Sequence, residues 1–180
     1  MTSCGPYSQS YDFKHMYDFN DLRGPLPKCT PKQNSILDII SQPCFSIFHS
    51  LVKTARMEGV LGAPQADFTI FVASDDNLRK RYTDGFFINI DQDTATRIIR
   101  GSILYNRLPM DILTVTPLGY YYTYDRSTRL LIKTNGCGEV RVNGLKIIEG
   151  DISCVNGIIH ILDDFIIPNR GNMMERPIQI

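Results

Sequence analysis

The chain has 180 residues, 43% hydrophobic and 21% charged, with nineteen basic residues balanced by nineteen acidic ones. That length suits one domain with a real core, and zero net charge supplies no long-range attraction to a polyanion, so no nucleic-acid partner is expected. No run reaches the ~18 apolar residues of a membrane span, so no membrane insertion is expected, and five cysteines at irregular spacing read as free thiols rather than a disulfide framework.

Residues 1–33 are rich in Tyr, Pro and Ser and end in the Pro-punctuated run RGPLPKCTPK, which reads as an extended N-terminal arm. Their start, MTSCGPYSQSYDF, lacks a basic segment followed by an apolar one, so no signal peptide is read there. Synthesis in the cytosol follows as the expectation, with incorporation into a particle such as a virion, or an extracellular place if a leader has been removed. Residues 34–168 form one organised block, and 169–180 read as a polar tail.

NSILDIISQ places Ile36, Leu37, Ile39 and Ile40 on a helical stripe that Asn34 or Ser35 can cap. FSIFHSLVKTARMEGVL spaces Phe45, Phe48, Leu51, Val52 and Ala55 by three and four, the pattern of one buried helix face. DFTIFVAS reads as a strand running into SDDNLRKRY, where Ser74 or Asp75 can cap a helix. DQDTATRIIRGSILYN predicts a further amphipathic helix, with Ile98, Ile99 and Ile103 or Leu104 on its apolar side. The basic groups Arg79, Lys80, Arg81, Arg97, Arg100 and Arg107 read as solvated helix sides.

From Thr114 the period changes to two, and YYYTY, RLLIKT, EVRVNGLKII, DISC and GIIHILDDFII read as strands. Asn143-Gly144 is a two-residue hairpin signal. Helices first and strands after argue for α+β.

At this point two stretches carry a resemblance. FTIFVASDDNLRK (Phe68 to Lys80) and VNGLKIIEGDISCVNGIIHILDDFIIP (Val142 to Pro168) are similar to the two signatures of fasciclin domains. ILYN (Ile103 to Asn106) falls where that family has a Leu-x-Tyr-His element, and LVKTARMEGVLG resembles its second helix. The departures are Val72-Ala73 for Ala-Pro, Arg79 for an aromatic, and Asn106 for His. The resemblance spans about residues 34–168 and implies a fasciclin-like α+β domain, with N-terminal helices packed on a twisted antiparallel β-sandwich or wedge. It also implies that Thr69, Phe71, Asn77, Asn156, Gly157, His160 and Asp163 form the structural signature.

The chemical candidates read as structural. His160 shares a strand face with Ile158, Leu162 and Asp164, which makes it a core imidazole held by hydrogen bonds, with the Asn106 amide as one candidate partner. The residues Cys44, His49, His15 and Cys29 match no zinc spacing. Asp75-Asp76 suits a helix start, Asp163-Asp164 ends a strand, NGCGEV lacks the lysine of a phosphate loop, and Cys137 has no evident base. No enzyme activity and no cofactor are expected, with a small enzyme or ligand carrier using the His160 region as the distant alternative.

Two features point to protein partners. GYYYTYDR sends Tyr120, Tyr122 and Tyr124 to one face and Tyr121 to the other, offering contact area at small entropic cost. Asp151-Ile152 and Tyr105-Asn106 match, residue by residue except at Asn106, elements that the resemblance links to integrin contact. The expected function is a protein–protein interaction or adhesion module, first as a structural part of a large assembly such as a minor capsid or scaffold protein contacting neighbouring subunits. The alternative is a cell-surface or matrix adhesion domain facing a receptor.

Overall fold

The computed structural model describes residues 34–126 and 128–167. The arm expected over 1–33 and the tail over 169–180 lie outside the described residues. Among the described residues seven α-helices come largely first: α1 Ile36–Ile40, α2 Ser46–Thr54 after a 3-10 turn Pro43–Phe45, α3 Glu58–Leu61, α4 Asp75–Arg79, α5 Asp84–Ile88, α6 Gln92–Gly101 and α7 Met110–Val115. The strands are β1 Phe68–Ala73, β2 Ile103–Tyr105, β3 Leu118–Tyr122, β4 Arg129–Thr134, β5 Val140–Val142, β6 Leu145–Cys154 and β7 Gly157–Leu162.

They form a seven-stranded sheet in the order β2-β1-β7-β6-β5-β4-β3. The α+β class and the wedge are those expected, but the pairing is mixed: β1 and β7 run parallel, Phe68 beside Gly157 through Ala73 beside Leu162. A parallel pair needs a crossover, and the long excursion from β1 to β7 provides it. The ten-residue β6 bends between the two halves of the sheet, with register shifts between Ile147 and Ile152. The sheet curls until its ends meet at a single bridge, Leu104 with Thr123, reinforced by Tyr124 N–H donating to the Ile103 carbonyl at 2.8 Å.

Alternation along β1 and β7 feeds two cores. Ile70, Val72, Ile159 and Ile161 face the helices, packing with Ile40, Phe48, Leu51, Leu78 and Ile99. Phe71 and Leu162 face the inside of the curled sheet with Leu104, Leu113, Leu130, Ile132 and Val142. Each such side chain contributes roughly 1.5–3 kcal/mol by leaving water, and all six positions of β7 are buried, as a central strand requires.

Three expectations change. The helix read over 45–61 is broken after Thr54 by a left-handed Arg56, φ 54°, where Arg56 N–H bonds Lys53 O and Met57 N–H bonds Val52 O, the Schellman closure usually made with glycine. The helix read to Asn106 stops at Gly101, because Ile103–Tyr105 pair with the edge of β1 opposite β7, so Arg107 lies beyond a strand rather than on a helix. The pieces LKII and DISC are one strand, β6. The helices α5 and α7 are additions that periodicity does not announce, each spanning less than two turns.

Candidate interaction surface

The polar residues of the two signature stretches join one element to another. Asn156 is fully buried in the β6–β7 turn; its Oδ1 accepts from Ile36 N at 2.8 Å and its Nδ2 donates to the carbonyls of Leu61 at 2.8 Å and Ala63 at 3.0 Å. One amide thus holds the start of α1 and the end of α3. The next residue must be glycine, since a Cβ on Gly157 would stand 2.2 Å from the Phe68 carbonyl oxygen. Thr69 donates to Asn106 O and accepts from Leu108 N, both at 2.8 Å. Asn77 donates to Leu162 O at 3.2 Å, and Asp163 accepts from Lys146 N at 2.9 Å and pairs with Arg81 at 2.8 Å. Ser74 caps α4, whereas buried Asp75 reaches across to cap α2, accepting from Ile47 N at 3.0 Å and from the Ser46 hydroxyl.

His160 belongs to this set. It is fully buried and stacked on Phe71 at 5.6 Å. Its Nε2 contacts Leu108 O at 2.8 Å, and its Nδ1 accepts from Asp151 N at 3.3 Å. An accepting Nδ1 and a carbonyl at Nε2 require the neutral tautomer protonated on Nε2. Burial pushes the imidazole below its ordinary value of 6.5, against smaller upward pulls from the Leu108 carbonyl and Asp151. Both ring nitrogens are engaged by backbone, which leaves neither for a substrate. The partner is Leu108, not the Asn106 amide.

Asp151 is also committed locally. It is left-handed, φ 61°, in the β6 bulge, and its Oδ1 accepts from Met110 N at 2.9 Å at the start of α7. A Cβ on the preceding Gly150 would meet Met110 Cγ at 2.5 Å, so the bulge fits tightly under α7. Ile152 packs against the helical core. Cys154 is buried, which pushes its thiol up to about 11, while Cys44 and Cys137 are exposed and free. Among the described residues no group of three or more His, Cys, Asp or Glu could hold a metal, and no helix is long and apolar enough to cross a membrane.

The unassigned surface lies on β3. Leu118, Tyr120 and Tyr122 face outward, both tyrosines 61% exposed, with the Arg129 guanidinium over their rings at 5.6 and 5.8 Å. Tyr121 turns inward onto the second core. Tyr124, expected beside Tyr120 and Tyr122, instead stacks on Tyr105 at 5.2 Å and meets Phe68 edge-on at 5.7 Å. A cleft of about 550 Å³ is lined by Tyr105, Asn106, Tyr120, Tyr121, Tyr122 and Arg126. The structure therefore brings Tyr105 and Asn106 to the β3 tyrosines and leaves Asp151 and Ile152 at the far end of the 106–110 loop.

The fasciclin domain family model matches residues 43–168. The chain belongs to the fasciclin family. Among solved structures, a domain pair from the insect cell adhesion molecule fasciclin I is similar, with a TM-score of 0.61 and 21% identity. The match covers 72% of this chain and 49% of that one, so the chain spans about half of that structure's length, and the likeness at this identity concerns the fold. No curated protein matches the chain in sequence. Fasciclin domains are adhesion and protein-interaction modules and are generally non-enzymatic.

Proposed function

We propose that this fasciclin domain is a non-enzymatic interaction module that serves as a structural component of a larger assembly, in the manner of a minor capsid or scaffold protein. The observation that carries it is the outward face of β3, where Leu118, Tyr120 and Tyr122 stay exposed although the signature side chains are spent on internal joints. Large, uncharged, aromatic and rigid side chains are the composition of a protein contact. The exposed free thiols Cys44 and Cys137 suit assembly in a reducing compartment.

Sedimentation of native material, with mass spectrometry of each fraction, tests this. Recovery in a fast-sedimenting particle at fixed ratio to a major shell protein is the expected result; recovery as a free species overturns it. Recovery bound to a cell surface supports the second reading, adhesion, which the likeness to an insect cell adhesion molecule favours and for which Tyr105, Asp151 and Ile152 are the residues to change.

A further inference from the structure

The outer surface of the sheet is covered unevenly. Helices pack on β1 and β7, while Leu118, Tyr120 and Tyr122 of β3 and Arg129, Lys133, Arg141 and Lys146 of β4, β5 and β6 stay exposed. Register brings these side chains together. Leu118 stands beside Lys133, Lys133 beside Arg141 and Arg141 beside Lys146, one row across β3 to β6 with about 5 Å between neighbours. Tyr120 stands beside Leu131, and Tyr122 beside Arg129. Like charges directly opposite on neighbouring strands repel, which costs stability in the monomer. The nearby carboxylates do little to offset this. Glu139 pairs with Arg141 at 2.7 Å, Asp163 pairs with Arg81 at 2.8 Å, and Glu149 lies at the β6 bulge. Among the described residues, no ion pair neutralises Arg129, Lys133 or Lys146. A chain of zero net charge thus gathers unneutralised cations on its one uncovered sheet face, beside its exposed tyrosines.

We infer that the outer face of β3–β6 docks an acidic segment of a partner protein, one in which carboxylates alternate with apolar side chains. The inference rests on the interaction-module reading and names the chemistry of its partner. Arg129 and Lys133 stand four residues apart on β4, about 13 Å, with Leu131 and Tyr120 between them. An extended segment with two carboxylates at that separation and an apolar residue between them meets all four. Arg141 and Lys146 lie further along the cationic row and take a further carboxylate. Such complementarity relieves the repulsion within the row and orients the partner. The face is also concave, since Tyr120, Arg129, Leu131 and Asn143 are among the residues lining a cleft of about 560 Å³. A nucleic acid fits less well. The Arg129 guanidinium already lies over the rings of Tyr120 and Tyr122, at 5.6 and 5.8 Å, where bases would have to stack, and Leu118 and Leu131 offer no ring at all.

Fluorescence anisotropy tests this, with a short labelled peptide of alternating Glu and Leu titrated by the purified full chain. At low salt the expected Kd is about 10–100 μM, weakening about tenfold as salt rises from roughly 50 to 500 mM. Lys133→Glu and Lys146→Glu change exposed side chains, so each is expected to leave the circular dichroism spectrum unchanged and to weaken binding about tenfold. Tyr120→Ser is expected to weaken it by a smaller factor, and a peptide of alternating Lys and Leu is expected not to bind. Failure of the Glu peptide to bind, unchanged affinity in both charge-reversed variants, or equal binding of the Lys peptide overturns the inference. Tighter binding of an oligothymidine or of phosphatidylserine vesicles than of the Glu peptide also overturns it, in favour of a nucleic acid or a lipid surface. A chain that ignores the peptide yet sediments with a particle in native extracts loses only this inference and keeps the interaction-module reading.

Discussion

The β1–β7 pair and the β3 edge use the same strand chemistry in opposite ways. Along β1 and β7 every position is buried, and each polar side chain, Thr69, His160 and the neighbouring Asn156, bonds the backbone of a loop or helix. Along β3 the outward aromatic side chains of Tyr120 and Tyr122 meet Arg129 rather than the core, and 61% of each stays exposed. Buried polar groups must be satisfied, which ties them to one fold; exposed aromatics on an outward face impose no such condition within the monomer. The first region specifies the molecule, and the second is available to another.

Substitutions should separate the two regions by size of effect. Gly157→Ala brings a Cβ against the Phe68 carbonyl and is expected to cost more than about 4 kcal/mol, seen as loss of soluble folded protein. Asn156→Ala orphans the Ile36 N–H and two carbonyls and should cost about 3–4 kcal/mol in urea midpoint. His160→Ala empties a stacked core site and orphans Leu108 O and Asp151 N–H, an expected loss of about 2–4 kcal/mol; a variant as stable as wild type would remove the imidazole from the structural set.

The same histidine predicts a pH dependence. Its folded-state value is lowered by burial, so the unfolded chain takes up the proton first as pH falls. Stability held above the ordinary value of 6.5 is therefore lost on acidification through that value and levels off below the folded one. Urea midpoints at about pH 7.5 and 5.5 should differ in wild type and differ less in His160→Gln. The smallest effect belongs to the edge: Tyr122→Ser should shift stability by less than about 1 kcal/mol, mostly the lost contact with Arg129. A large loss there would mean that β3 is part of the core after all.

Much of the joint-making set could be read from the chain because fixed offsets carry it: Ser74 before a helix, Asn156-Gly157 between two strands, His160 within an apolar run. The partners of those groups could not. Asp75 looks like the cap of its own helix and instead caps α2; His160 meets Leu108, a residue whose side chain gives no sign of its carbonyl's use. The break at Arg56 escapes because an arginine occupies a turn usually made by glycine. Tyr124 follows the same alternation as Tyr120 and Tyr122 until the Leu104–Thr123 bridge folds it against Tyr105.

Periodicity, cap residues and turn residues, all local in range, determined α1, α2, α4, α6, the strands other than β2, the Asn143-Gly144 hairpin and the α+β class from sequence alone. Tertiary structure decided what depends on distant backbone meeting: the parallel β1–β7 pairing, the curl that almost closes the sheet, and its opening at Asn106. That opening exists because Thr69 and His160 hold the 106–108 loop toward β1 and β7, so β2 leaves β3 after one bridge. No local pattern encodes it.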